Sequence, residues 1–86
     1  MQDHDTNKGV KSVEIFSTPT CHFCHAAKEW FDEVGIKYTD HDVSVKKDEL
    51  ARMMEITGQR GVPVIIIGND VVIGFDQNKL KELLGM

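Results

Sequence analysis

Only two cysteines occur in the 86 residues, with two prolines, one tryptophan and one tyrosine. Two cysteines cannot supply the disulfide framework that staples small secreted domains, nor the four thiolates of an all-cysteine zinc site. Positive charge is sparse as well. Ten Lys and Arg stand against fourteen Asp and Glu, for a formal charge of −4, which offers no electrostatic footprint for nucleic acid or an anionic membrane. The adjacent pair Lys46-Lys47 is followed at once by Asp48 and Glu49 and reads as a solvated helix start. Long apolar runs are missing too. Nothing approaches the roughly 20 residues that cross a bilayer, and the first eleven residues have no apolar stretch of the kind a signal peptide needs. A cytoplasmic address is the default expectation, with two free thiols kept reduced. Residues 1–11 are expected to be a tail unable to bury anything, and 12–86 a single domain, monomeric by default because no apolar repeat is left over.

What is present organises itself around Ser17-Thr18-Pro19-Thr20-Cys21-His22-Phe23-Cys24-His25. The apolar, β-prone run Val13-Glu14-Ile15-Phe16-Ser17 precedes it and reads as a buried strand. Apolar residues at Phe23, Ala27, Trp30, Phe31 and Val34 follow it at helical spacing, and Gly35 ends that helix. Thr20, or Cys21 itself, is the expected cap. Ile36 to Val43 alternates and is rich in polar residues, as an edge strand with one wet face would be. Ser44 is the expected cap of a second helix with Leu50, Met53, Met54 and Thr57 on its stripe and Gly58 at its end. Val64 to Ile67 and Val71 to Ile73, joined through Gly68-Asn69-Asp70, read as a hairpin covered on both faces. Asp76 then caps a last helix with Leu80, Leu83 and Leu84 inward. The predicted order is β-α-β-α-β-β-α, an α/β fold with a four-stranded mixed sheet and helices on both faces.

Placed between a strand and a helix, Cys21-x-x-Cys24 has a definite chemistry. The helix start carries unpaired amides and the positive end of the dipole, which favour a thiolate over a thiol. Cys21 is thus the expected attacking thiol and Cys24, one turn further in on the same face, the expected resolving thiol. Three other uses compete. A structural bridge three residues apart closes too small a loop to remove much unfolded-state entropy. A structural zinc site needs four ligands, which His22 and His25 could help supply only by distorting the helix start; an iron-sulfur or zinc carrier using Cys21 is the alternative from another class. Cys21-x-x-Cys24-His25 also matches the c-type haem attachment signature, a chemistry of exported proteins. His22 beside the pair can tune the thiolate when protonated.

With Val62-Pro63 opening the third strand and Cys-x-x-Cys after the first, the chain from about Val13 to Leu84 resembles the thioredoxin superfamily in its small glutaredoxin form. The resemblance implies a dithiol thiol-disulfide oxidoreductase serving redox homeostasis and electron transport. It further implies disulfide-containing protein substrates and no bound cofactor or metal. The resemblance also implies a cis Pro63 against the cysteines, with the Val62 backbone pairing an incoming extended substrate. Typical glutaredoxins resemble Cys-Pro-Tyr-Cys where this chain has His22-Phe23, and carry a lysine near the position of Thr18. Gly74-Phe75-Asp76 is similar to the corner of NrdH-type redoxins and YruB-type glutaredoxin-like proteins, several of which are served by thioredoxin reductase. Arg60-Gly61-Val62-Pro63 is similar to the equivalent loop of thioredoxins. The implied electron donor is glutathione, held in part by Arg60 and Asp76, or thioredoxin reductase with NADPH.

Overall fold

The computed structural model describes residues 12–86; the expected tail lies outside them. Seven elements follow in the predicted order: β1 (Val13–Ser17), α1 (His22–Val34), β2 (Thr39–Asp42), α2 (Lys47–Thr57), β3 (Val64–Ile67), β4 (Asp70–Ile73) and α3 (Gln77–Leu84). The strands form one sheet in the order β2-β1-β3-β4. β1 runs parallel to β2, with Ser17 opposite Asp42, and antiparallel to β3, with Phe16 opposite Val64. β3 and β4 close an antiparallel hairpin. This mixed sheet with three helices is the thioredoxin-like fold.

Strand alternation sorts the core into two layers. Val13 and Ile15 of β1 face the same way as Ile65 and Ile67 of β3 and pack with Ala27, Trp30 and Phe31 of α1 and Leu80 and Leu84 of α3. Phe16, Val64 and Ile66 face the other way, against Met53 of α2. Both central strands are therefore covered twice, which is why they read as nearly unbroken apolar runs. β1 feeds the cysteines from this doubly covered position.

Several local expectations need correction. Ser44 does not cap α2: its amide and hydroxyl both turn to Asp42 Oδ1, a local turn that outcompetes capping. Lys46 occupies the cap position without a side-chain bond. Met53 is buried whereas Met54 is 36% exposed, so only the first of the pair fills the core. β4 is covered on one face. Val72 is buried, while Ile73 is 56% exposed, because β4 is the sheet's edge and α2 lies over the strands further in. Leu83 is half-buried, packed at the margin of the core that holds Leu80 and Leu84.

β2, the other edge, is held by charge. Asp40 meets Lys28 of α1 on one face. On the other, the His41 Nε2–H donates to Glu14 Oε1 at 2.8 Å, and the same oxygen takes the Arg52 guanidinium at 2.7 Å. Arg52 also donates to Glu49 and lies 5.0 Å over the Phe16 ring. The Arg52 guanidinium, with His41 beside it, holds the Glu14 carboxyl below its ordinary value of 4.5 against the opposing effect of burial. A lowered folded-state pKa means that this stabilisation is whole above the ordinary carboxylate range and is lost as pH falls through the folded value. Arg52→Met is therefore expected to cost about 1 kcal/mol near neutral pH. It should also flatten the acid limb of the stability curve below about pH 5, as read by urea unfolding at stepped pH. An unchanged acid limb would show that the cluster is electrostatically idle.

Candidate active site

No oxygen caps α1. Cys21, with extended backbone, occupies the cap position, and its sulfur accepts the amide of Cys24 at 3.2 Å. Thr20, the alternative cap, is exposed and makes no cap bond. A turn bond from the Cys21 amide to the Thr18 carbonyl, 3.3 Å, sets the approach. His25 steadies it from inside the helix, its Nε2–H donating to the Pro19 carbonyl at 2.7 Å. The far end of α1 closes on Gly35, whose φ of +76° is accessible to glycine at little cost.

The two thiols are unlike. Cys21 is half-exposed; Cys24 has no exposed surface at all. Burial pushes the Cys24 thiol up to about 12, reinforced by its hydrogen bond with Cys21. The Thr18 amide hydrogen-bonded to it and the Lys28 ammonium pull the other way. Cys24 is thus stored as a neutral thiol beneath Cys21.

Val62-Pro63 is a cis peptide, and the Val62 carbonyl faces the site, accepting from Cys21 Sγ at 3.8 Å. The Pro63 carbonyl accepts the Gly74 amide at 2.8 Å, tying the Gly74-Phe75 corner to the same loop. Gly74 has a φ of +90°, a conformation strained for any side chain. Phe75 leaves the site and packs on Trp30, ring centroids 6.1 Å apart. Asp76 caps α3, its Oδ1 accepting the Lys79 amide at 3.2 Å, and stays exposed. Arg60 is exposed on the loop leading to Gly61. The structure thus joins Cys21, Cys24, Val62, Pro63 and Gly74 directly, and leaves Thr20, Arg60 and Asp76 on the surrounding surface.

Phe23 is the main reversal. Helical spacing put it on the buried stripe; it is 62% exposed, edge-on to the exposed His22 ring at 5.6 Å. Cys24 takes its place in the core, which spacing alone missed because a cysteine did not register as an apolar residue. Three neighbours also went unnoticed: Ser17 at the end of β1, Asp40 and Lys28. The available signal was the four-residue separation of Cys24 and Lys28, which stacks them on one face.

The haem alternative finds no support in this arrangement, since Cys24 is sealed from solvent and His25 is committed to the Pro19 carbonyl. Among the described residues, no three His, Cys, Asp or Glu side chains converge as metal ligands. None of the described helices is long and apolar enough to cross a membrane.

A sequence model of the glutaredoxin family matches residues 13–72. The chain belongs to the glutaredoxin family. Among its relatives is a glutaredoxin-like 8.6 kDa protein of the rubredoxin operon of Clostridium pasteurianum, 33% identical over 72 residues, 84% of this chain and 96% of that one. The fold superposes on the glutaredoxin-like NrdH-redoxin of Escherichia coli with a TM-score of 0.74, 25% identity and coverage of 84% and 93% of the two chains. It also superposes on a buckwheat glutaredoxin in complex with glutathione, with a TM-score of 0.69, 28% identity and coverage of 93% and 74%. This glutaredoxin is a thiol-disulfide oxidoreductase, and its Cys-x-x-Cys pair supports thiol redox function.

The contrast between the sulfurs is open to direct measurement. At pH 7 a thiol with a pKa of about 12 holds on the order of one thiolate per 10⁵ molecules. Limited iodoacetamide on the native reduced protein is expected to modify Cys21 alone, with Cys24 reacting only after denaturation, as located by peptide mass spectrometry. Equal native labelling of both would contradict the burial.

Proposed function

We propose that this glutaredoxin reduces protein disulfides and mixed disulfides through a dithiol cycle, with Cys21 attacking and Cys24 resolving. The observation that carries the reading is the asymmetry of the pair: one sulfur half-exposed at a helix cap and bonded to an amide, the other buried one turn inside. Cys21 as thiolate attacks a substrate sulfur and forms a mixed disulfide, releasing the other substrate sulfur as a thiol. Cys24 then attacks the Cys21 sulfur, the Cys21-Cys24 bond forms, and the second substrate sulfur leaves. An extended substrate segment pairs with the backbone of Val62, whose carbonyl already lies 3.8 Å from the Cys21 sulfur. The exposed His22-Phe23 pair supplies an apolar, aromatic contact beside the attacking sulfur, and Pro63 and Gly74 hold the loop behind it.

Restoring the dithiol needs a donor. We favour thioredoxin reductase with NADPH over glutathione. Thr18 provides no cation for a glutathione carboxylate, and Asp76 spends one carboxylate oxygen on the α3 cap. The similarity to NrdH-redoxin, described as having a thioredoxin-like activity profile, points the same way; the buckwheat glutaredoxin crystallised with glutathione keeps the other donor as the comparison to run. The setting is a reducing compartment, with the cytoplasm the simplest.

Cys21→Ser is expected to bring disulfide reduction to background. Cys24→Ser should accumulate covalent adducts with protein substrates, visible on non-reducing gels, and keep at most a slow reaction with glutathione adducts. Full turnover in Cys21→Ser would end the proposal. Following re-reduction of the Cys21-Cys24 bond under thioredoxin reductase with NADPH, and separately under glutathione with glutathione reductase, assigns the donor: the faster system is expected to be the first.

A further inference from the structure

The buried thiol must ionise to resolve the mixed disulfide, and the surroundings of Cys24 contain a device suited to that step. Lys28 lies four residues beyond Cys24 in α1, so the two side chains stack on one helix face, their Cβ atoms about 5–6 Å apart. Lys28 is not a free surface lysine. Its ammonium donates to Asp40 Oδ2 at 2.9 Å with the side chain only 22% exposed. Asp40 Oδ1 in turn accepts the hydroxyl of Ser17 at 2.6 Å, and Ser17 is 1% exposed. Ser17 precedes Thr18, whose backbone favours the charged form of Cys24. One chain of contacts across α1, β2 and β1 thus holds the ammonium that stands one helical turn beyond Cys24.

We propose that Lys28, aimed by Asp40 and Ser17, is a positioning residue for Cys24, its ammonium stabilising the thiolate that attacks the mixed disulfide. The inference rests on the dithiol reading above. In the step, the Cys24 sulfur bonds to the Cys21 sulfur while the bond from Cys21 to the substrate sulfur breaks. The departing substrate thiolate takes up, through water, the proton Cys24 released. The cysteine pair loses two electrons and the substrate disulfide gains them.

Burial and Cys21 are the groups that oppose ionisation of Cys24, with the Thr18 amide and Lys28 favouring it. Once Cys21 is tied up in the mixed disulfide, its opposition to ionisation of Cys24 is gone. What remains is burial against Thr18 and Lys28. Asp32, Asp42 and Tyr38 also lie within the field of Lys28 or beside it, so the aim of the ammonium matters as much as its presence. A simple fastening of β2 to α1 would predict effects on stability and none on the second sulfur alone.

The test is a single-turnover reaction of the fully reduced protein with 5,5′-dithiobis(2-nitrobenzoate). The first nitrothiobenzoate is released when Cys21 attacks and the second when Cys24 resolves. Removing the ammonium is expected to raise the Cys24 pKa further. The thiolate fraction falls, while the higher basicity returns part of the loss through nucleophilicity. Lys28→Met should therefore slow the second release about two- to fourfold at pH 7 and leave the first unchanged. Lys28→Arg should restore it. Asp40→Ala should slow the second release as well, with no further loss in the double variant. An unchanged second release in Lys28→Met, an equal fall of both releases, or a faster second release in Asp40→Ala would each overturn the role of Lys28. Absence of a fast first release in the native protein, or its survival in Cys21→Ser, would instead overturn the dithiol reading itself.

Discussion

A sulfur–amide hydrogen bond at the start of α1 joins the fold to the chemistry. Helix starts leave amides without partners, and an oxygen side chain ordinarily fills the gap. Here the Cys21 sulfur accepts the Cys24 amide at 3.2 Å. The same contact that finishes the helix therefore fixes that sulfur at the start of α1 and sets its distance from the second cysteine. β1 must deliver the chain to this point rigidly for the bond to form, and it does so from the centre of the sheet, packed on both faces. The cap is thus the consequence of the core and the cause of the site.

The two cysteines then part company chiefly through burial. Three residues along a helix bring a side chain back to nearly the same face but one turn deeper. For Cys21 that face opens to solvent beside the Val62 carbonyl; for Cys24 it closes against the protein, with no exposed surface. Desolvation disfavours the charged form, so the deeper thiol stays protonated until something calls on it. An accessible sulfur and a buried one follow from one spacing and one gradient of exposure.

The element order was legible because each signal had one dominant physical cause. Doubly buried β1 and β3 could only be apolar runs, and Gly35, Gly58 and Gly85 each end a helix in the left-handed conformation. The errors fall where two causes compete. Phe23 fits the helical stripe by spacing, but the first turn of α1 lies at the edge of the core and cannot bury a large ring there. Ser44 is a good cap by type, yet Asp42 two residues earlier claims its amide and hydroxyl. β4 reads as doubly buried by composition, although its place at the sheet edge leaves Ile73 mostly exposed. The positions of Cys21, Cys24 and the cis Val62-Pro63 bond followed from motif and resemblance. Ser17, Asp40 and Lys28 did not, because they come from three elements whose meeting depends on the parallel pairing of β1 with β2.

That pairing also explains why the edge strand β2 is so polar. A short edge strand exposed to water gains little from apolar side chains and risks pairing with other chains. β2 instead spends both faces on charge. Asp40 turns to Ser17 and Lys28 on the α1 side, and His41 turns to Glu14 on the α2 side. The two clusters are separated by the backbone of one strand, and they serve different elements: the first ties β2 to α1 and β1, the second anchors α2 over Phe16. Exposed ion pairs add little stability singly. Their value in β2 lies in direction, since a strand held by charges at fixed points places those charges with the precision of the sheet, and the carboxylate of Asp40 can then hold an ammonium where a solvated lysine would wander.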